Sequence, residues 1–361
     1  MKILALGATG AIGSQLIAAL APQEHEIHVT TRRSRASGGP VRYIEGNAQD
    51  RAFLRGLLRQ DWDVIVDFMV YDTPTFRDRV EALLGATGQY VFTSTARVFA
   101  DSVTPLTERS PRLLDVSQDA AFLATDEYAL TKARQEDMLR ASGRSNWTIT
   151  RPYITFGEGR LQLGTLEKEA WLHRALNGRS IVFCDALIDR WTTMTEGSDV
   201  ARMIAALLGT PAALGEDFNL AGDQAITWRE VLELYLEELE AHLGIRPKVV
   251  LQTPDDFCRW AGSVPQVRYD RMYDRRFDPA KIGGLVNLAQ LTACRTALRE
   301  RLQEQLVGGS FLLPDWRSEA LCDRMLGEHV ALGRIPGGKQ KLKYLLHRHV
   351  PQGAIRMMRA R

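Results

Sequence analysis

The sequence predicts an α/β fold: a doubly wound parallel sheet followed by a smaller α/β domain. Three observations carry that prediction. Residues 1–6, apolar but for Lys2, form a short run that passes at once into a glycine-spaced turn, Gly7-Ala8-Thr9-Gly10-Ala11-Ile12-Gly13, and then into a helical pattern over 14–20. Apolar runs alternate with amphipathic stretches through residue 95, as strands alternate with covering helices. One of these runs, residues 63–70, is almost continuously apolar, as a parallel strand buried on both faces must be.

The first strand, turn and helix carry the most specific signal. A turn this tight needs positive φ, which glycine adopts without penalty. The missing side chains let backbone approach a pyrophosphate, and the free N–H groups and positive end of the new helix hold the anion. The spacing is G-x-x-G-x-x-G, not the G-x-G-x-x-G of the ordinary dinucleotide fold. Gly7, Thr9, Gly10, Ala11, Ile12 and Gly13 are therefore candidate cofactor contacts. The plainer alternative is a strand-to-helix turn with glycines for packing.

A second strand is expected over 26–31. In a doubly wound fold its end lies by the adenosine ribose, where an acidic residue selects NAD. Here it ends in Thr31, Arg32 and Arg33. Guanidinium groups suit a 2′-phosphate through bidentate charged hydrogen bonds, so NADP is favoured over NAD. The competing reading is two solvated loop arginines. A third strand over 41–44 is followed by Asn47, a candidate for the adenine edge. Helix is expected over 51–59 and 74–85, and strands over 63–70 and 89–95. Phe68, Met69 and Val70 end the fourth strand.

The fifth strand ends in three hydroxyl residues, Thr93, Ser94 and Thr95. Carboxyl ends of parallel strands are where ligands bind. Further on, Tyr128 and Lys132 lie four residues apart and share one face of a helix. A nearby ammonium stabilises a phenolate, which lets tyrosine exchange a proton near neutral pH. Tyr128 and Lys132 are also candidate cofactor contacts, Lys132 at the nicotinamide ribose. With nine tyrosines and eight lysines, roughly 0.2 such pairs arise by chance, so the pair matters through its company.

On these residues the sequence resembles the short-chain dehydrogenase/reductase superfamily, in its extended branch of NAD(P)-dependent epimerases and dehydratases. The resemblance covers roughly residues 1–285. It rests on Gly7-x-x-Gly10-x-x-Gly13, the 63–70 run, Tyr90-Val91-Phe92-Thr93-Ser94-Thr95 with Val98-Phe99, Tyr128-x-x-x-Lys132 and Arg151-Pro152-x-x-x-Phe156-Gly157. Asp199-Val200-Ala201 and Phe218-Asn219-Leu220-Ala221-Gly222 resemble later landmarks. It implies a Rossmann-type sheet and a triad of Thr95, Tyr128 and Lys132, with Tyr128 as acid/base. It also implies that Phe68, Met69 and Val70 stand on the cofactor wall, with nicotinamide contacts around Pro152 and Ile154, a nucleotide-linked sugar held by the smaller domain, and a homodimer. Departures are Met69 and Val70 where small alanines are usual, Asn47 for a common Asp, and Arg97 and Ala100 in the usual Val-Tyr-Gly ending. Thr192 stands where sugar-nucleotide epimerases often carry Arg, and Arg190 is the candidate substitute. Arg97, Tyr153 and Arg190 are thus the candidate substrate contacts. Ala96 and Arg97 stand where dehydratases want an added acid/base pair, which disfavours dehydration. The stretches 61–99 and 146–222 also resemble chloroplast RNA-binding relatives that lack the tyrosine; retention of Tyr128 and Lys132 favours an enzyme.

Composition bounds the rest. The 361 residues, 45% hydrophobic and 25% charged, suffice for one large and one smaller domain. The expected division is 1–157 for the dinucleotide, with later segments returning to that domain, 158–306 mostly for substrate, and 307–361 as an extension. A formal charge of +2 argues against nucleic acid or membrane as partner. Cys184, Cys258, Cys294 and Cys322 have no zinc or redox spacing, so no metal is expected, and free thiols suit a cytoplasmic protein. No signal peptide or membrane span is expected. Helices are expected within 160–177, over 227–243 with Thr227 as N-cap and Glu230 three residues on, and over 288–306, with a strand at 248–251. From 331 to 361 there are eight Lys or Arg and no Asp or Glu. That fits an anion-facing flap, a contact with an acidic partner, a packed subunit arm or a solvated tail, and Trp316, Tyr344, Leu345 and Leu346 suggest that part of it packs down. The functions that follow are a ketoreductase or epimerase of a nucleotide-linked sugar, a reductase of a small non-sugar carbonyl in secondary metabolism, or a non-catalytic NADP-binding sensor or RNA-binding protein.

Overall fold

The computed structural model of the chain describes residues 1–351 and 353. It divides into two compact units. The first holds Met1–Gly157, Thr193–Ala225 and Asp274–Cys294; the second holds Glu158–Thr192, Ile226–Tyr273 and the chain from Arg295 onward.

The first unit is built on a seven-stranded sheet. Its strands are β1 (Lys2–Leu6), β2 (Glu26–Thr31), β3 (Val41–Glu45), β4 (Trp62–Asp67), β5 (Thr87–Thr93), β6 (Trp147–Pro152) and the strand Glu216–Leu220. The order across the sheet is Glu216–Leu220, β6, β5, β4, β1, β2, β3, and every pairing is parallel. Ile3 stands opposite both Ile27 and Val64, so β1 lies inside the sheet, which is why Ile3–Leu6 are all apolar and buried. Parallel strands require crossovers, and helices supply them. They are α1 (Ala11–Leu20), α2 (Arg51–Leu57), α3 (Thr73–Arg77), α4 (Val80–Gly85), the short turns α5 (Leu113–Val116) and α6 (Ala120–Leu123), and α7 (Tyr128–Arg140). One apolar core joins α1 and the helix Gly197–Leu207 to the sheet. A second joins α2, α4 and Leu139 of α7 to it.

Several element ends differ from the sequence expectation, each for a local reason. β4 stops at Asp67, not residue 70, because its carboxylate accepts from Met69 N (2.8 Å) and turns the chain out of the ladder. β5 ends at Thr93; Thr95 Oγ1 then accepts from Arg97 N (3.3 Å) and starts a 3-10 turn, Ala96–Val98. The single helix expected over 74–85 is two, broken where Arg79 turns inward to the carbonyls of Ala48 and Gln49.

The second unit contains a parallel pair, Ile181–Cys184 with Val249–Gln252, and an antiparallel hairpin, Gln162–Leu163 with Leu166–Glu167. That hairpin delays the helix expected within 160–177 to Lys168–Leu176. The helix Trp228–Leu243 opens with the expected capping box between Thr227 and Glu230. The helix expected over 288–306 is instead a short turn, Leu288–Gln290, then Cys294–Gly308. Beyond it, the helices Trp316–Leu326 and Gly337–His349 pack through Trp316, Ala320, Val330, Ile335 and Tyr344. Residues 352 and 354–361 of the basic extension lie outside the described residues.

Candidate functional site

The glycine turn opens a cleft of about 280 Å³ at the carboxyl ends of the strands. Gly7 has φ +68°, and a Cβ there would meet Met69 Sδ at 2.7 Å. Its N–H donates to Thr30 Oγ1 (3.0 Å), which ties the turn to β2. A Cβ on Gly13 would stand 2.5 Å from Ala8 Cα, so this glycine lets α1 close on the turn. Gly10 is the N-cap of α1 and no side chain caps the helix. Space around the missing Gly10 side chain is open. The uncapped amides near Ala11 and Ile12 therefore have room for a phosphate group.

Of the predicted cofactor contacts, Gly7, Thr9, Arg32, Asn47, Phe68, Met69 and Val70 line this cleft. Arg33 is exposed, and its backbone carbonyl accepts from Thr31 Oγ1 (2.8 Å). Among the described residues no carboxylate pairs with Arg32 or Arg33. Thr30, Thr31, Ala48 and Gln49 also line the cleft and were not among the candidates. Gln49 spans two walls: its N–H donates to Asn47 Oδ1 (3.0 Å) and its amide to Val70 O (2.7 Å). A polar residue two positions after Asn47 was the available signal.

Tyr128 is the first residue of α7 and Lys132 follows one turn on. Glu127 caps the helix, its carboxylate accepting from Ala129 N (2.7 Å). Asp126, just before it, accepts from the hydroxyl (2.6 Å) and backbone N–H (3.1 Å) of Thr73. The start of α7 is thereby tied to α3. Lys132 is only 2% exposed. Its ammonium donates to Thr93 O (2.8 Å) and Met69 O (3.4 Å) and lies 4.4 Å from the centroid of the Phe92 ring. One lysine thus joins the strand end that leads to Thr95 to the wall of the dinucleotide cleft. Burial lowers its pKa to about 8, against the carboxylates of Asp67 and Glu136, which hold it up.

Both carboxylates are interior residues that the sequence reading passed over. Asp67 is fully buried and accepts from Met69 N, Tyr71 Oη (3.1 Å) and Tyr90 Oη (2.8 Å). Burial nevertheless pushes its carboxyl above the usual range. Glu136 accepts a bidentate pair from Arg151, both bonds 2.8 Å, and Ser94 Oγ donates to it at 2.6 Å. Burial opposes its ionisation, yet the Arg151 guanidinium holds it below the usual carboxylate range. A carboxylate inside an apolar run, as at Asp67, was the legible signal; Glu136 offered none.

The three hydroxyls at the end of β5 have separate fates. Ser94 is sequestered by Glu136, Thr93 presents its carbonyl to Lys132, and Thr95 is the N-cap of the following turn. Among the proposed substrate contacts, Arg97 pairs with Glu127 (2.6 Å) and its guanidinium carbon stands 5.3 Å from the centroid of the Tyr128 ring. Tyr153 is half-buried against Phe277, ring centroids 5.5 Å apart. Pro152 and Ile154 are buried on either side of it. Arg190 belongs to the second unit, where it is exposed and its carbonyl accepts from Trp228 N (3.1 Å).

A phenol at a helix start, a buried ammonium one turn on, a threonine that caps the next turn and a glycine-lined cleft are assembled within the first unit. Such a set can move a proton beside a bound dinucleotide. No curated protein sequence matches the chain. Among solved structures, the UDP-glucuronic acid 4-epimerase of Bacillus cereus in complex with NAD superposes with a TM-score of 0.63 at 17% identity, covering 86% of this chain and 99% of that one. The dTDP-glucose 4,6-dehydratase of Bacillus anthracis, also in complex with NAD, gives 0.62 at 18% identity over 84% and 96%. An epimerase from Methanothermobacter thermautotrophicus gives 0.64 at 15% identity over 84% and 92%. At these identities the likeness is one of fold. The sequence model of the NAD dependent epimerase/dehydratase family matches residues 3–221. Because that match takes in every strand of the seven-stranded sheet and all of α7, this chain is a member of the NAD dependent epimerase/dehydratase family.

Proposed function

We propose that the protein is an NAD(P)-dependent ketoreductase or epimerase acting at a carbonyl or hydroxyl carbon of a nucleotide-linked sugar. One observation carries the reading: the buried Lys132 ammonium bonds to Thr93 O and Met69 O, and so ties the Tyr128 helix to both the hydroxyl strand end and the cleft wall. The family membership and the sugar-nucleotide enzymes among its structural neighbours support the substrate class.

Residues 7–13 would hold the pyrophosphate, Arg32 and Arg33 the adenosine end and its 2′-phosphate, and Phe68–Val70 with Pro152 and Ile154 the remaining walls. The bound nicotinamide supplies hydride chemistry to the substrate carbon. Thr95 holds the reacting oxygen by a hydrogen bond. Tyr128 gives its phenolic proton to a carbonyl oxygen or takes one from an alcohol, and the Lys132 cation favours the phenolate partner of that exchange. Arg32 and Arg33 make NADP the preferred dinucleotide.

The purified protein is to be incubated with UDP-glucose, UDP-glucuronic acid and dTDP-glucose and either dinucleotide. Reduced nicotinamide is followed by absorbance and sugar products by mass spectrometry. Tyr128→Phe should lose turnover by about a hundredfold or more while binding the dinucleotide as before. Full turnover in that variant removes Tyr128 from the chemistry. Replacing Arg32 and Arg33 with Ser should weaken NADP binding about tenfold or more and leave NAD nearly unchanged. Equal effects on both dinucleotides would reject the NADP preference.

A further inference from the structure

Arg97 stands two positions after Thr95 on the turn Ala96–Val98, and three contacts converge on it. Its backbone N–H donates to Thr95 Oγ1 (3.3 Å). Its guanidinium donates to Glu127 Oε1 (2.6 Å), with both side chains largely buried. Its guanidinium carbon stands 5.3 Å from the centroid of the Tyr128 ring. Glu127 is also the residue that caps α7. A charge pair therefore links the turn capped by Thr95 to Glu127, the N-cap of the helix that begins at Tyr128.

A cation facing an aromatic ring attracts the neutral ring modestly through its quadrupole and a phenolate more strongly through its charge. Guanidinium keeps its proton at any working pH. Lys132, by contrast, titrates at about 8. Other charges near the start of α7 are Asp126, which pairs with Arg134, and Asp67 of β4, which acts on Lys132. Arg112 binds α7 farther along, at Asp137 and Glu136.

We propose that Arg97 is a positioning residue for Tyr128: held by Glu127, it fixes the ring at the start of α7 and biases its hydroxyl toward the phenolate with the positive charge of its guanidinium. This goes beyond the proposed function but rests on Tyr128 as its acid/base group.

The test needs no substrate. Full-length protein carrying tyrosine labelled with carbon-13 at Cζ is titrated by NMR, and the Tyr128 resonance is assigned by its loss in Tyr128→Phe. In Arg97→Met the midpoint should rise by about half to one pH unit. Arg97→Lys should raise it less, since charge remains and the planar face is lost. Glu127→Gln should lower it, because it removes a negative charge while keeping an acceptor for Ala129 N. Opposite signs in Arg97→Met and Glu127→Gln support the proposal. An unmoved midpoint in Arg97→Met, or shifts of one sign in both, would overturn it, the latter showing a ring merely loosened. If Arg97→Met does not fold, Arg97→Lys and Glu127→Gln carry the same contrast. Turnover by Tyr128→Phe is measured apart: activity there sinks the acid/base role, whereas a failed titration contrast sinks only the role of Arg97.

Discussion

Lys132 holds a charge where charge is costly. It is almost fully buried, its ammonium bonded to two backbone carbonyls, and burial lowers its pKa from 10.5 to about 8. A folded value below the unfolded one means that the protonated lysine opposes folding. Its contribution to stability is present above 10.5 and lost as pH falls through about 8. Lys132→Met should therefore be the more stable protein at pH 7, by up to about 3 kcal/mol. The advantage should shrink between pH 8 and 10.5, and turnover should be lost. Urea unfolding of both proteins at the two ends of that window measures this; a difference that does not vary with pH would refute the linkage. Asp67 works the other way on the same group. Asp67→Asn removes a carboxylate that holds the Lys132 proton, so the alkaline limb of activity should move to lower pH.

At the scale of the element, α7 is set in place by polar contacts more than by an apolar stripe. Glu127 caps it, Asp126 and Thr73 tie its start to α3, and Glu136 binds Arg151 of β6 and Ser94 just past β5. Removing one member of a buried pair leaves the other uncompensated. Glu136→Gln should cost roughly 3 kcal/mol, seen as a lower denaturation midpoint. Because Glu136 is held below the usual carboxylate range, its contribution is present above its unfolded value of 4.5 and fades as pH falls through the lower folded value. The variant should accordingly lose part of the acid sensitivity of the parent. The Tyr128–Lys132 pairing on α7 was legible because a helix brings positions four apart together. Glu136 was not, since its partners are Ser94, 42 residues away, and Arg151, 15 residues on.

The second unit shows what the whole chain adds. Its last described helices bury a network in which Arg174 and Arg179 face Glu319 and Asp323, all four at most 5% exposed. Tyr344 donates to Asp323 (2.6 Å), so the helix Gly337–His349 completes the same network. Ending the chain after Pro314 would leave two buried guanidinium groups without their carboxylates and uncover the cluster around Trp316. Such a truncated protein should lose solubility or melt several degrees lower by circular dichroism; an unchanged melt would show that the extension is dispensable. The composition of residues 331–361 left a solvated basic tail and a packed segment both open; in the described part Tyr344 and His347 are buried, as the packed alternative expects, while Leu345 is exposed.

Sequence alone determined the strand–helix alternation, the glycine turn, the capping box at Thr227 and the shared helix face of Tyr128 and Lys132. Each of these is an interaction between near neighbours in the chain, written in spacing and residue type. Tertiary structure alone decided that Lys132 bonds to the carbonyls of Thr93 and Met69, that Asp67 gathers two tyrosines beneath the cleft, and that Arg97 pairs with Glu127. Apart from Asp67 with Tyr71, these contacts join residues tens of positions apart, and no periodicity records which buried charge will find which partner once the sheet has closed over it.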